Sequence, residues 1–173
     1  MWWKRPCALE TRSSGEAQYL NRRALISNVG ASTRIENAVR RPKTIVLDSW
    51  AVLAYLEDEN SGKQVAEILA DAHAHRASLL MPTVNVGEVW YILAREVSET
   101  DAERAITDLK QLGIQFIDAD WNLTRLAAGF KAKHRMSYAD CFAATLAKEN
   151  KAELVTGDKE FKQVEGEIKI HWV

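Results

Sequence analysis

The segment 44-TIVLDSWAVLAYL-56 changes its period in the middle. Thr44 to Leu47 is a short, β-branched, apolar run without alternation, the pattern of a buried strand. Asp48 ends it, and Ser49 to Leu56 continues as a helix. A strand that passes directly into a helix is the start of a β–α unit, and the same alternation runs on from there. Ser61 to Ala74 shows Val65, Ile68 and Leu69 at helical spacing. Ser78 to Met81 is a second strand, closed by Pro82. Val84 to Val97 carries Val86, Val89, Trp90, Leu93 and Val97 on one stripe. Thr100-x-x-Glu103 has the form of a capping box opening a helix that ends near Gly113. Ile114 to Ile117 is a third strand, and Trp121 to Lys133 and Ser137 to Asn150 are helices. Glu153 to Thr156 is a fourth strand and Ile168 to Trp172 a fifth. Strands alternating with helices predict an α/β sandwich with a mostly parallel sheet. The connections are long enough for right-handed crossovers, but the pattern does not order the strands.

Upstream of this region the chain is different. Residues 1–43 carry nine bases and three acids, whereas 44–173 carry fourteen bases and twenty-one acids. The formal charge of -1 therefore sums a basic piece of +6 and an acidic piece of -7. Residues 1–43 read as a basic, poorly ordered N-terminal extension, with helix-like stretches at Tyr19 to Ile26 and Thr33 to Val39. An RNA-contacting arm and a remnant of upstream sequence are the other readings. No Met lies between Met1 and Met81, so a shorter protein would start on a non-standard codon, such as one at Val39 or Val46. Residues 44–173 are expected to form one domain with a real core.

Several function classes lose their usual signal. The near-neutral total excludes a strongly basic nucleic-acid coat and a strongly acidic disordered chain. No run approaches the ~20 apolar residues of a membrane span. The start, MWWKRPCALE, lacks the apolar region of a secretory signal. Cys7 and Cys141 give no disulfide framework, which suits a reducing cytoplasm. His73 and His75 would point about 160° apart on a helix, as exposed residues and not as a metal pair. GxGxxG, Walker A, HExxH and CxxC patterns do not occur.

Four acids stand out by position. Asp48 follows the first strand, where open α/β sheets place ligands, and where a helix N-cap also belongs. Glu88 lies beside Asn85, opposite the apolar stripe of its helix, either at a site or on a solvated face. Asp140 sits within an alanine face made by Ala143, Ala144 and Ala147, and a charge buried there requires a cation or strong donor. Ser137-x-x-Asp140 is equally the form of a capping box. Asp158 follows the fourth strand, where Gly157-Asp158 is also an ordinary turn. Two of these acids lie at strand carboxyl ends and two in first turns of helices that can begin on the same edge. Gathered there they would raise one another's pKa unless a cation joined them. A hard divalent ion is the natural partner, and phosphodiester hydrolysis the chemistry it implies.

At these residues the chain resembles the PIN-domain ribonucleases, most closely the VapC toxins of toxin–antitoxin pairs. The matching segments are IVLDSWAVLAYL around Asp48, PTVNVGEVWYIL around Glu88, MSYADCFAATLA around Asp140 and LVTGDKEF around Asp158, in that order, with the closing IKIHWV. The resemblance spans about 44–173 and implies a three-layer sandwich with a central, mostly parallel sheet between helices. It further implies a Mg²⁺- or Mn²⁺-dependent endoribonuclease acting as the toxin of a type II pair, or a housekeeping nuclease of RNA processing. A non-catalytic RNA- or protein-binding module is the reading from another class. By position, Asp48 and Asp140 would be the main metal ligands, with Glu88 and Asp158 completing the pocket. Asn85 would orient the Glu88 side and Thr156 would supply a hydroxyl. Lys131, Lys133, His134 and Arg135, with Lys159 and Lys162, are candidate RNA contacts at the rim. An antitoxin and a homodimer are the implied partners, for which the apolar helices at 50–56 and 65–69 offer surfaces. Core packing explains those helices equally well. Ser49 is a common small choice after the first acid, whereas Trp50 is bulkier than the resemblance leads one to expect; the main departure is the extension over 1–43.

Overall fold

The computed structural model describes residues 43–56 and 60–173. The extension expected over 1–43, with its two helix-like stretches, lies up to residue 42 outside the described residues. Five strands form one sheet: β1 (Thr44–Leu47), β2 (Ser78–Pro82), β3 (Ile114–Ile117), β4 (Glu153–Thr156) and β5 (Lys169–Trp172). Their order is β3-β2-β1-β4-β5, and every neighbouring pair is parallel. In the middle of the sheet Val46 stands between Leu80 and Leu154.

Successive residues of a strand point to opposite faces. Ile45, Val46 and Leu47 are all buried, as are Leu79, Leu80 and Met81, so both faces of the sheet are covered. The covering helices are α1 (Ser49–Leu56) and α2 (Asn60–Ala74) between β1 and β2, and α3 (Thr83–Glu96) and α4 (Glu99–Gln111) between β2 and β3. Between β3 and β4 lie α5 (Trp121–Lys133) and α6 (Tyr138–Glu149). The result is the expected three-layer α/β sandwich. Parallel strands need such crossovers, because a tight turn cannot return the chain to the same edge.

Helix α6 is the centre of the core. Every residue from Asp140 to Ala147 is buried, and the helix packs on β1, β2 and β4. Its alanines let it lie close to the sheet, which brings its first turn over the ends of β1 and β4.

Three details differ from the sequence reading. The cap of α4 is Ser98, whose hydroxyl accepts the Asp101 N–H, and not Thr100. Two Ser/Thr-x-x-acid frames overlap here, and Glu103 instead accepts the Trp90 indole N–H. Val97 is 62% exposed because α3 ends at Glu96, before the apolar stripe does. A 3-10 turn over Lys159–Val164 joins β4 to β5, burying Phe161 and Val164. The apolar side chains Ala51, Val52, Val65 and Leu69, considered for partner binding, are buried within the chain. Among the described residues no helix is long and apolar enough to cross a membrane.

Candidate active site

The chain leaves β1 toward β2 on one side and later returns to β4 on the other. The carboxyl ends of β1 and β4 therefore flank the point where the strand order reverses, the usual ligand crevice of an open α/β sheet. Asp48 stands there, 1% exposed. One carboxylate oxygen accepts the Ala51 N–H at 2.8 Å, so Asp48 caps α1. The other accepts the Thr156 hydroxyl at 2.6 Å from the end of β4. Cap and pocket residue are the same side chain.

Thr156 continues the chain of contacts, because its hydroxyl accepts the Asp158 N–H at 3.0 Å. Asp158 in turn accepts the Glu160 N–H at 2.8 Å and caps the 3-10 turn. Across the crevice Ser137 caps α6 by accepting the Asp140 N–H at 3.0 Å. The reciprocal half of a capping box is not made, since the Ser137 N–H donates to Glu160 Oε2 at 3.1 Å. Glu160 thus links the Asp158 loop to the start of α6. Glu160 is not among the acids that the strand and helix pattern singles out; its one signal in the sequence is its place two residues beyond Asp158.

Glu88 is half-buried on α3, and its negative charge acts on both Asp140 and Asp158. It therefore lies near enough to both acids for its charge to be felt by them. Asn85 behaves differently from expectation. It is fully buried, and its Nδ2 donates to Ser49 Oγ at 3.1 Å, while Ser49 Oγ donates to the Asn85 carbonyl at 3.2 Å. Its bond ties α3 to α1 instead of orienting Glu88, and its Oδ1 is buried without a partner. Helical spacing relates Asn85 only to its own helix, so the partner on α1 was invisible.

Electrostatics follows from this crowding. Burial pushes Asp48 from 3.8 up to about 8; the bonds from Thr156 and Ala51 pull it back, and the charges of Asp140 and Asp158 add to the rise. Asp140 is pushed up to about 7, chiefly by burial, against a bond from Ser137 and with Asp158, Glu88 and Glu160 adding. Asp158 is raised for the same reasons, with Glu160 and Glu88 as its charged neighbours. Among the described residues no three acids, imidazoles or thiols stand as a closed metal-holding group. The donor chemistry nevertheless fits a divalent cation: hard oxygen donors, buried and mutually repelling, with free lone pairs remaining on Asp48 and Asp140.

The basic candidates divide. Lys133, Arg135 and Lys159 are exposed. Lys131 Nζ donates to the Met136 carbonyl at 2.5 Å, so it holds the loop before α6. His134 pairs with Glu167 at 3.0 Å, away from this role.

Residues 45–167 match the family model of the PIN domain. Among curated proteins, none matches the chain by sequence. Solved structures with the same fold include VapC20 of Mycobacterium tuberculosis, described as a sarcin-ricin loop cleaving toxin. It is 14% identical with a TM-score of 0.56, over 69% of this chain and 94% of that one. VapBC2 of Rickettsia felis, bound to a promoter DNA fragment, is 17% identical with a TM-score of 0.58, over 75% and 98%. DNA-bound VapBC of Salmonella typhimurium is 13% identical with a TM-score of 0.59, over 75% and 97%. At such identities the likeness is one of fold.

Proposed function

The chain belongs to the PIN-domain family, and from that footing we propose that it is a cytoplasmic, metal-dependent endoribonuclease, the toxin of a type II toxin–antitoxin pair. The observation that carries this reading is the convergence of Asp48, Glu88, Asp140 and Asp158 where the strand order reverses, three of them with raised pKa values. A divalent cation such as Mg²⁺ or Mn²⁺ would be held there by these carboxylates, and when bound it would supply water activation and charge neutralisation for phosphodiester hydrolysis. Asp48 and Asp140 are the main ligands, and Glu88 and Asp158 complete the acidic pocket. Thr156 fixes the rotamer of Asp48, and Ser137 and Glu160 hold the turn that carries Asp140. Lys133, Arg135 and Lys159 take neighbouring phosphates, giving an affinity that falls with salt.

The toxin assignment is supported by structural neighbours that are VapC and VapBC proteins. An antitoxin partner and a homodimer belong to the same proposal. The test is cleavage of RNA by purified protein with Mg²⁺ or Mn²⁺ and its arrest by EDTA. Asp48→Asn and Asp140→Asn should each lower it by about a hundredfold or more. Unchanged cleavage in either variant would overturn the site assignment. Cleavage without growth arrest on expression would mark a housekeeping nuclease, and RNA binding without cleavage a non-catalytic module.

A further inference from the structure

Trp50 lies two residues after Asp48, and its ring is seated on Gly157, the residue between Thr156 and Asp158. A Cβ built on Gly157 would overlap Trp50 Cη2, Cζ3 and Cζ2 at nearly equal distances. Near-equality over three adjacent atoms puts Gly157 against the face of the six-membered ring, not at its rim. Only a glycine leaves room for that contact. One face of the indole is therefore fixed on the peptide that joins two pocket residues. The side chain is nevertheless only half-buried, and its N–H is neither buried nor bonded among the described residues. A large aromatic ring is packed within one peptide unit of the acids, with surface left over that the core does not use.

We propose that Trp50 is a specificity-determining residue: a platform on which an unpaired base stacks when the adjoining phosphate lies at the carboxylates. The proposal rests on the nuclease reading for its ligand, RNA. Every base has a flat face to stack, and a base within a duplex has none free, so Trp50 selects single-stranded over paired RNA. Because one face of the ring is already packed on Gly157, less side-chain freedom is left to lose when a base docks on it.

The test measures the affinity of the Asp140→Asn protein, with Mg²⁺ present, for a short single-stranded oligoadenylate and for an abasic ribose-phosphate chain of equal length. Base stacking on an aromatic side chain corresponds to about a five- to hundredfold gain in affinity. Adding Trp50→Leu, which keeps apolar bulk over Gly157, should remove that gain for oligoadenylate and leave the abasic chain unaffected. Trp50→Phe in its place should keep most of the gain. A thermal melt of each variant separates loss of stacking from loss of fold. Three results would overturn the proposal. The first is oligoadenylate affinity unchanged by Trp50→Leu. The second is a folded Trp50→Phe protein that binds oligoadenylate no better than the Trp50→Leu protein. The third is a Trp50→Leu loss that is the same for the abasic chain. Failure of the wild-type protein to cleave any RNA overturns the nuclease reading instead, and the affinities still decide the role of Trp50.

Discussion

The Thr156 hydroxyl donates to Asp48 at 2.6 Å while accepting the Asp158 N–H at 3.0 Å, so its removal leaves two buried groups short of a partner. Thr156→Val should cost about 1–3 kcal/mol, read as a lower thermal midpoint, and Thr156→Ser should stay near wild type. Asp48→Asn behaves oppositely in metal-free protein. Asparagine keeps an oxygen for the Ala51 N–H, and the Thr156 hydroxyl can turn to accept from the amide. The variant should therefore melt above wild type at pH 8 in EDTA, while losing the stabilisation that Mn²⁺ confers. Much of this was legible, because an acid after a buried strand and an acid in an alanine face are unusual places for charge. The bonds of Ser137 to Glu160 and of Asn85 to Ser49 were not, since each joins segments far apart in the chain.

Ser137 and Ser98 begin their helices in the same way, each accepting the N–H of the third residue on. Replacing either with Ala should cost about 1 kcal/mol. Only Ser137→Ala should also lower RNA cleavage, because Asp140 sits in the turn that Ser137 fixes; matched melts with unequal activities are the expected result. Between α1 and α2 the fit is tighter. A Cβ on Gly62 would overlap the Ala54 carbonyl oxygen, a backbone atom that cannot swing away. Gly62→Ala should destabilise the fold by about 1–3 kcal/mol, again read by melting. The elements themselves were legible to within a residue or two, since each periodic run is local. The cap of α4 was not, because overlapping frames offer the same hydrogen bonds and packing selects between them.

For the whole molecule the sign of the pH dependence follows from the raised acids. Unfolded, Asp48 and Asp140 ionise near 3.8; folded, they ionise near 8 and 7. Between those values the folded state binds more protons, so metal-free stability falls as pH rises from about 4 to about 8. Below that window both states are protonated and the penalty vanishes. Cation binding competes with protons for the same oxygens. Saturating Mn²⁺ should therefore raise the melting temperature by about 5–10 °C at pH 8 and much less at pH 5. Stability in EDTA that did not fall between pH 5 and pH 8 would contradict the burial of these carboxylates.

The chain by itself determined the alternation of buried strands and helices, and the placing of acids where those elements start and stop, because both are written in local spacing. The order β3-β2-β1-β4-β5 was decided only in the folded molecule. That order sets β4 beside β1 and lets Thr156 reach Asp48 across 108 positions of sequence. Strand pairing and the burial of charge depend on contacts between distant segments. A carboxylate acquires its raised pKa only when the whole domain has excluded water around it.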